Sequence, residues 1–215
     1  MKLYNANLSP YASRCRIALY ATGLNVDILP PPAPLGSDDY KQQVNPIGKV
    51  PALALDDGTV LPESDVIVQY LDEKSGGKLT PGTAEGRAKA RLIGRIADLY
   101  IAPGLGTIFR QLGAAERDPA KIAEGAAEAK KGLGLLEHYV ESGAYAVGGK
   151  LSHADCMVAP TLFFISAILP RIGEAEPFAS TPKVGAYWTA VQKDASIARV
   201  LKEMAEALAE RMKRG

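Results

Sequence analysis

The sequence predicts a mixed α/β domain followed by an all-helical domain, and three observations support this fold class. Short strand-like and helical segments alternate at first, Gly76-Gly77 and Pro81-Gly82 then interrupt the chain, and only helical patterns follow. With 215 residues, the chain is long enough for one good core or two modest ones. We therefore predict an α/β domain over residues 1–75, a linker over 76–83 and a helical domain over 84–215.

The first three elements have the pattern of a strand, a helix and a second strand. Lys2–Asn5 is a short strand, and Tyr11–Thr22 is a helix with apolar residues around one face. Gly23 is a typical helix stop, because glycine adopts the left-handed conformation that ends many helices. Val26–Leu29 is the second strand, and it ends in the stiff loop Pro30-Pro31-Pro32.

A β-hairpin is predicted later in the first domain. The short helix Asp38–Val44 ends before Pro46, and the strands Pro51–Leu55 and Thr59–Leu61 flank Asp56-Asp57-Gly58. An Asp-Gly pair between two apolar runs is a strong hairpin signal. A crossover followed by a hairpin gives a mixed sheet covered by helices.

The remaining elements are predicted to be helices. Ser152-His153-Ala154-Asp155 has the pattern of a capping box at a helix start. Pro103-Gly104 lies inside a long helical segment, so we expect a bend there. The predicted helices are Ser64–Lys74, Ala84–Ala115, Pro119–Ser142, Leu151–Ile172, Pro182–Lys193 and Ser196–Met212.

Composition narrows the class of protein. The formal charge is +1 and the one basic run is Arg211-Met212-Lys213-Arg214, so we expect no nucleic-acid partner. We see no apolar run of the ~20 residues that a membrane span needs, and no secretory signal after Met1. Cys15 and Cys156 are too few for a disulfide framework, which favours the reducing cytoplasm.

The segment Asn45-Pro46-Ile47-Gly48-Lys49-Val50-Pro51-Ala52-Leu53 is the most informative part of the chain. Proline lacks the N–H that a central strand position needs, so Val50-Pro51 predicts a bend at the sheet margin, where a cis bond is a real option. Such a bend exposes the N–H and C=O of Val50 to an extended peptide. Glu63-Ser64 adds a carboxylate and a hydroxyl at a helix start, so together these groups form a receptor for a small peptide with a free amino acid end.

Ser9-Pro10-Tyr11-Ala12 lies between the first strand and the first helix. The N-terminus of a helix favours an anion, and a thiolate held there has a lowered pKa. Because position 9 has no thiol of its own, a thiolate there must come from a ligand, to which Ser9 could donate its O–H. The alternative is that Ser9 is only a helix cap.

These motifs resemble those of the cytosolic glutathione S-transferases. Ser9-Pro10-Tyr11-Ala12 is similar to the Cys-Pro-Tyr-Cys motif of glutaredoxins without its cysteines, and the segment through Leu19 is similar to that of many bacterial, serine-type transferases. Asn45–Leu53 and Glu63-Ser64 match the family's glutathione-binding motifs at their usual spacing. The resemblance implies a thioredoxin-like domain joined to a helical domain, a homodimer, and attack of the glutathione sulfur on an electrophile.

The resemblance also implies roles for individual residues. Ser9 would activate the thiol of glutathione, and Val50 would pair with the cysteinyl backbone beside cis-Pro51. Glu63 would meet the γ-glutamyl ammonium, while Ser64 and its helix N-terminus would bind the γ-glutamyl carboxylate. Three further side chains are candidates for the glycine end of the co-substrate: Lys49, Lys41 and Gln42.

The electrophile needs an apolar wall near Ser9, and the candidates are Tyr11, Tyr100, Ile108 and Phe109. Each of them could equally pack in a helix–helix core. Arg110 is a candidate for an anionic substrate group, although a surface ion pair is an alternative role. We expect no metal site, because neither of the two histidines has a partner at metal-ligand spacing.

Several alternatives remain open at this stage. Tyr4 is a rival to Ser9, because some classes use a tyrosine near the first strand. Cys15 lies six residues beyond Ser9, which favours packing over cysteine-type reductase chemistry. Pro10-Tyr11 replaces the Ser-Cys of the zeta signature, which weakens the case for a maleylacetoacetate-type isomerase. Other glutathione-dependent reactions (isomerase, peroxidase, dehalogenase or ether-cleaving lyase) and a non-catalytic glutathione-binding module also remain.

Overall fold

A computed structural model describes residues 1–214, and the contacts within it divide the chain into two units. The first unit contains Met1–Thr80 together with the residues from Asp194 onward, and the second unit contains Pro81–Lys193. The sequence analysis places the last helix in the helical domain. In the structure that helix packs against the first helix of the chain, so it belongs to the first unit by its contacts.

A four-stranded mixed sheet lies at the centre of the first unit. Its strand order is β2-β1-β3-β4, with β1 parallel to β2 and antiparallel to β3, and β3 antiparallel to β4. Leu3 pairs with Leu53, and both side chains are fully buried. The predicted mixed sheet and hairpin are therefore confirmed. The strands are β1 Lys2–Tyr4, β2 Asp27–Leu29, β3 Ala52–Ala54 and β4 Val60–Pro62.

Nine α-helices occur in the described residues, and most follow the predicted segments. Four of them (α1, α2, α3 and α9) belong to the first unit, and the other five belong to the second unit. Their bounds are α1 Pro10–Thr22, α2 Asp38–Gln43, α3 Ser64–Lys74, α4 Ala84–Ile96, α5 Ala102–Leu112, α6 Pro119–Tyr139, α7 His153–Ile168, α8 Pro182–Val191 and α9 Ala195–Arg214.

Helix α1 begins and ends as its sequence predicts. Pro10 occupies the first helical position, where a missing N–H costs nothing. Gly23 ends the helix with φ 72°, and its N–H donates to the carbonyl of Leu19. The helix is buried on almost every side from Ala12 to Leu19, and the buried residues include the polar side chains of Ser13, Arg14 and Arg16.

Near Pro103, where the sequence predicts a bend, the structure has a π-helical turn over Ala97–Ile101, between α4 and α5. Proline at position 103 has no N–H to donate to the carbonyl of Leu99, and its ring clashes with that carbonyl. The irregular turn therefore lies one turn before the proline, where the regular hydrogen-bond pattern is lost.

Two helical stretches are long and apolar enough to cross a membrane by length and composition alone. They are Ala84–Leu112 and His153–Ile172, so the expectation that no segment reaches this length is wrong on that criterion. Core helices pass the same test, and 67% of the second window is buried inside the protein.

The predicted capping box at the start of α7 is confirmed, and its acid is fully buried. One Asp155 oxygen accepts from the N–H and the hydroxyl of Ser152 at 2.8 and 2.9 Å. The other accepts from the N–H of Ala146 at 2.8 Å and from the hydroxyl of Tyr187 at 3.1 Å. Burial nevertheless dominates these four bonds and raises the pKa of Asp155 to about 6.

This raised pKa predicts a pH dependence of the unfolding free energy. Between about pH 4 and 6 the folded state holds a proton on Asp155 that the unfolded state has lost. The contribution of Asp155 is thus fully present below pH 4 and is lost as pH rises through 6, by about 3 kcal/mol.

Denaturant unfolding of the parent and of Asp155→Asn across pH 4 to 7 measures this effect. We expect the parent's free energy of unfolding, relative to that of the variant, to fall over this range. A constant difference between the two proteins would show that Asp155 ionises normally in the folded state.

Candidate active site

A cleft of about 210 Å³ in the first unit brings together six of the residues that the sequence analysis selects. The cleft also includes Asn45 and Ile47, which the sequence analysis places in the motif without assigning them a role. Its lining residues are Tyr11, Asn45, Ile47, Lys49, Val50, Pro51, Glu63 and Ser64.

The loop before Pro51 is held by hydrogen bonds to its own backbone. The carbonyl of Lys49 accepts from the Tyr40 hydroxyl at 3.0 Å and from Asn45 Nδ2 at 2.8 Å. Gly48 has φ 78°, and a Cβ there would lie 3.1 Å from the Cα of Gly36. A glycine is therefore required at position 48 by both conformation and space.

The loop presents an open backbone position at the cleft. The Val50–Pro51 peptide bond is cis, as the sequence analysis allows. Within residues 1–214, neither the N–H nor the C=O of Val50 has a hydrogen-bond partner in the protein. An extended peptide segment lying in the cleft can pair with both groups, in the way that an added strand pairs with a sheet edge.

The start of helix α3 forms another wall of the cleft, which Glu63 and Ser64 line. Glu63 precedes the helix with φ 68° and ψ 116°, and its side chain does not cap the first turn. Glu63 is the only residue other than glycine with positive φ in the described chain, and such conformations cluster at functional sites. Because the first N–H groups of α3 lack a side-chain cap, they can bind an anion.

Arg14 lies behind this wall and was missed by the sequence analysis. Its side chain is 1% exposed, and its Nη1 donates to the hydroxyl of Ser64 over 3.4 Å. Its guanidinium also lies 4.8 Å from the centre of the Tyr11 ring. The wall therefore combines a helix N-terminus, a hydroxyl and a buried positive charge, three features that all favour a carboxylate.

Ser9 caps α1, and this geometry leaves its hydroxyl proton available. The Ser9 Oγ accepts from the N–H of Ala12 at 3.2 Å, so the cap is present. A hydroxyl has two acceptor lone pairs and one donor, and capping uses an acceptor. Ser9 does not line the cleft itself; it lies two residues before Tyr11, which does.

Cys15 has the packing role that its distance from Ser9 suggests. Its thiol is fully buried and faces the carbonyl of Ser64 at 3.8 Å. Burial raises the pKa of Cys15 far above its usual range, against the opposing effect of Arg14 and Arg16. A thiol that stays protonated is a poor nucleophile.

The remaining candidates of the first unit lie outside the cleft. Lys41 and Gln42 are exposed on α2, and Lys41 forms a long ion pair of 3.8 Å with Asp38. Tyr4 is half-buried and packs against a small core cluster formed by Tyr40, Val44, Val50 and Ala52.

The candidates in the second unit differ in their exposure. Tyr100 is exposed, and Arg110 donates to the hydroxyl of Thr107 at 2.9 Å. Ile108 is fully buried, so the core role left open for it in the sequence analysis is the one it has. Phe109 packs edge-on against Phe164 with ring centres 5.0 Å apart.

Across residues 1–214, no group of three or more His, Cys, Asp or Glu side chains is arranged to hold a metal ion.

Comparison with known proteins defines the family. Residues 3–79 match the glutathione S-transferase N-terminal domain, and residues 119–189 match the glutathione S-transferase C-terminal domain. Glutathione S-transferase 3 of Zea mays is 31% identical over 204 residues, which cover 89% of this chain and 88% of that protein. Maleylacetoacetate isomerase of Pseudomonas aeruginosa is 28% identical over 173 residues, covering 76% of this chain and 80% of that protein.

A solved structure with a ligand gives the same result. The glutathione S-transferase of Methylobacillus flagellatus with glutathione bound superposes with a TM-score of 0.77 and 25% identity, covering 93% of this chain and 98% of that chain. These similarities, together with the fold, define a two-domain protein with a thioredoxin-like first domain. The chain belongs to the glutathione S-transferase family and is an enzyme of that family.

The conformation of Glu63 predicts different stabilities for two variants that both lack its carboxylate. A left-handed conformation costs roughly 1–2 kcal/mol for a residue with a Cβ and little for glycine. We expect Glu63→Gly to be more stable than Glu63→Ala by about 1 kcal/mol in denaturant unfolding.

The same two substitutions at Glu128, which is exposed in the middle of α6, are the control. There glycine should be the less stable variant, because it is a poor helix former. If Glu63→Ala has a higher free energy of unfolding than Glu63→Gly, the positive φ of Glu63 does not constrain the site.

Proposed function

We propose that the protein is a glutathione transferase in which Ser9 stabilises the glutathione thiolate for attack on a small hydrophobic electrophile. The observation that carries this proposal is the cleft, whose two walls offer an open backbone position at Val50 and an uncapped helix N-terminus at Ser64. The position at Val50 suits the middle of an extended tripeptide, and the helix N-terminus at Ser64 suits the carboxylate of its free amino acid end.

In this proposal each part of glutathione meets a complementary group. The cysteinyl N–H and C=O pair with the C=O and N–H of Val50. The γ-glutamyl ammonium pairs with the exposed carboxylate of Glu63. The γ-glutamyl carboxylate binds at Ser64, whose hydroxyl also contacts the buried Arg14. Lys49 is the charged side chain of the opposite wall, so it is assigned to the glycine carboxylate.

The thiol of bound glutathione needs a lowered pKa in order to react at neutral pH. A free thiol has a pKa of ~8.5, so only a small fraction is ionised at neutral pH. Each unit of pKa depression corresponds to ~1.4 kcal/mol of preferential thiolate stabilisation. The Ser9 hydroxyl and the N-terminus of α1 together can supply one or two such units.

The chemical step then balances simply for an electrophile with a leaving group. The thiol proton passes to solvent, the thiolate sulfur forms a bond to the electrophilic carbon, and the leaving group departs with its bonding electron pair. The exposed ring of Tyr11 at the edge of the cleft offers an apolar contact for the electrophile. Such conjugation would remove reactive compounds from the cell, which is a detoxifying role.

A second candidate is a glutathione-dependent isomerase. It is favoured by the similarity to the Pseudomonas aeruginosa maleylacetoacetate isomerase, which extends over 80% of that protein. Both reactions begin with the same thiolate, but isomerisation returns the glutathione unchanged. A panel of aryl halides, epoxides, peroxides, aromatic ethers and cis-dienones, with free glutathione measured before and after, distinguishes the two.

We further propose that the protein works in the cytoplasm as a homodimer. The thiols of Cys15 and Cys156 are both buried and neither is in a disulfide, which suits a reducing compartment. Leu92 and Leu99 lie seven residues apart in the second unit with 41% and 49% of their surface exposed. We take these two leucines as candidate contacts of the dimer, because exposed apolar patches mark protein–protein interaction sites.

Removing the Ser9 hydroxyl tests the proposed chemistry. We expect Ser9→Ala to raise the pKa of the bound glutathione thiol by about one unit and to lower kcat/KM for an aryl halide by about 10- to 100-fold. Binding to immobilised glutathione should persist. Ultraviolet absorbance of the thiolate against pH and a chromogenic conjugation assay measure both effects.

Two further variants separate the proposed role of the Ser9 hydroxyl in thiolate stabilisation from its role as the cap of α1. Ser9→Thr keeps both functions and should retain most activity. Thr83→Ala removes a comparable cap, since Thr83 Oγ1 accepts from the N–H of Gly86 at 3.0 Å, and it should cost about 1 kcal/mol of stability without moving the thiol pKa. Equal thiol pKa values in the parent and Ser9→Ala would exclude Ser9 as the activating group.

The proposed dimer is tested by placing a charge at its surface. Leu99→Glu should shift the mass observed by analytical ultracentrifugation at micromolar concentration from dimer to monomer, because an unpaired carboxylate is costly in an apolar interface. Leu35→Glu alters an equally exposed leucine of the first unit and should leave the mass unchanged. A dimer that survives Leu99→Glu would place the interface elsewhere.

A further inference from the structure

The side chain of Arg16 is buried on α1 and is surrounded by hydrogen-bond acceptors. It is 1% exposed, although it lies only seven residues after Ser9. Its Nη1 donates to Glu203 Oε2 on α9. Its Nη2 donates to the carbonyl of Asn7 at 2.8 Å and to the hydroxyl of Ser13 at 2.7 Å.

These acceptors lie on both sides of Ser9 in the chain. Asn7 belongs to the segment that leads from β1 into Ser9. Ser13 donates its own hydroxyl proton to the carbonyl of Ser9 at 2.8 Å. The guanidinium of Arg16 thus holds the Asn7 carbonyl, two residues before Ser9, directly. It holds the Ser9 carbonyl indirectly, through the hydroxyl of Ser13.

The counter-charge for this guanidinium comes from the far end of the sequence. Glu203 lies 187 residues after Arg16 and is mostly buried against it. It also accepts from the hydroxyl of Tyr20 at 3.0 Å and from Nε of Arg199 at 3.3 Å, so both of its oxygens are engaged. Arg199 in turn stacks over the Tyr20 ring with its guanidinium carbon 3.7 Å from the ring centre.

A buried guanidinium needs this partner to remain where it is. Removing one member of a buried ion pair leaves an uncompensated charge, which draws in water or moves toward the surface. Because the same guanidinium holds Asn7 and Ser13, any such movement reaches the backbone at Ser9.

We propose that Arg16 and Glu203 are positioning residues for the Ser9 hydroxyl, so that the C-terminal helix α9 sets the geometry at which Ser9 meets the glutathione sulfur. This inference rests on the proposed function, in which Ser9 stabilises the thiolate. It assigns α9 a role in the thiolate chemistry of the first unit, to which it belongs by its contacts.

Glu203→Gln is the central variant, since it removes the charge and keeps the shape and one acceptor oxygen. We expect the thiol pKa of bound glutathione to rise by about half a unit to one unit, and kcat to fall by about 3- to 10-fold at neutral pH. The KM for glutathione should stay within about twofold, because the residues assigned to hold the tripeptide are untouched. Glu206→Gln is the matched control, since Glu206 is an exposed partner of Lys202 at 4.0 Å on the same helix.

Ser13→Ala is a second variant that disturbs no charge. It breaks the link between Arg16 and the Ser9 carbonyl, so it should reproduce the rise in thiol pKa even if Glu203→Gln does not fold. Arg16→Lys keeps the charge with fewer fixed donors and should lie between the parent and Glu203→Gln. A normal thiol pKa and kcat in folded Glu203→Gln or in Ser13→Ala would overturn the inference.

A double-mutant cycle with Ser9→Ala separates this inference from the function on which it rests. If Glu203 acts through Ser9, Glu203→Gln should add no further rise in thiol pKa to the Ser9→Ala protein. Full additivity would overturn the positioning role and leave the proposed function standing. An unchanged thiol pKa in Ser9→Ala alone would instead refute the proposed role of Ser9, and the positioning role would fall with it.

Discussion

The first unit depends on the burial of two positive charges along one short helix. Arg14 and Arg16 are both about 1% exposed, and a guanidinium cannot be left without partners in such surroundings. Arg14 lies against Ser64 at the start of α3, whereas Arg16 lies against Glu203, Asn7 and Ser13. The start of α1, the start of α3 and the final helix are therefore tied together by hydrogen bonds to charges on α1.

This arrangement explains why a cleft for an anionic peptide forms beside α1. The N-terminus of α3 lacks a side-chain cap, so its first N–H groups are open to water or to a ligand. A carboxylate of the ligand can accept hydrogen bonds from these N–H groups and is favoured by the positive end of the α3 dipole. The groups that we assign to binding the co-substrate are thus already in position in the free protein.

The sequence predicts those parts of the fold and of the cleft that depend on local chemistry. The hairpin follows from Asp57-Gly58, the end of α1 from Gly23, and the bend before β3 from Val50-Pro51. Glu63 and Ser64 could be selected for the same reason, because a carboxylate and a hydroxyl at a helix start have a local meaning. Each of these inferences needs only a few consecutive residues.

The features that the sequence does not reveal depend on distant partners. Arg14 and Arg16 look like the solvent-facing positions of an ordinary helix, and their burial becomes apparent only when Ser64 and Glu203 are placed beside them, 50 and 187 residues away. The return of α9 to the first unit has the same origin. Division of the chain at Gly76-Gly77 treats domains as continuous segments, whereas α9 packs on α1, buries its apolar side chains Ile197, Val200 and Met204, and places Glu203 against a charge buried on α1.

The hydroxyl of Ser9 shows why structural and catalytic roles need not exclude each other. As a cap it accepts a hydrogen bond from the N–H of Ala12, and as an activating group it must donate one to sulfur. Accepting a bond polarises the O–H and makes it a slightly better donor, since linked hydrogen bonds strengthen one another. The cap also restricts the directions in which the remaining proton can point, so capping of α1 and the proposed donation to sulfur are compatible roles of one hydroxyl.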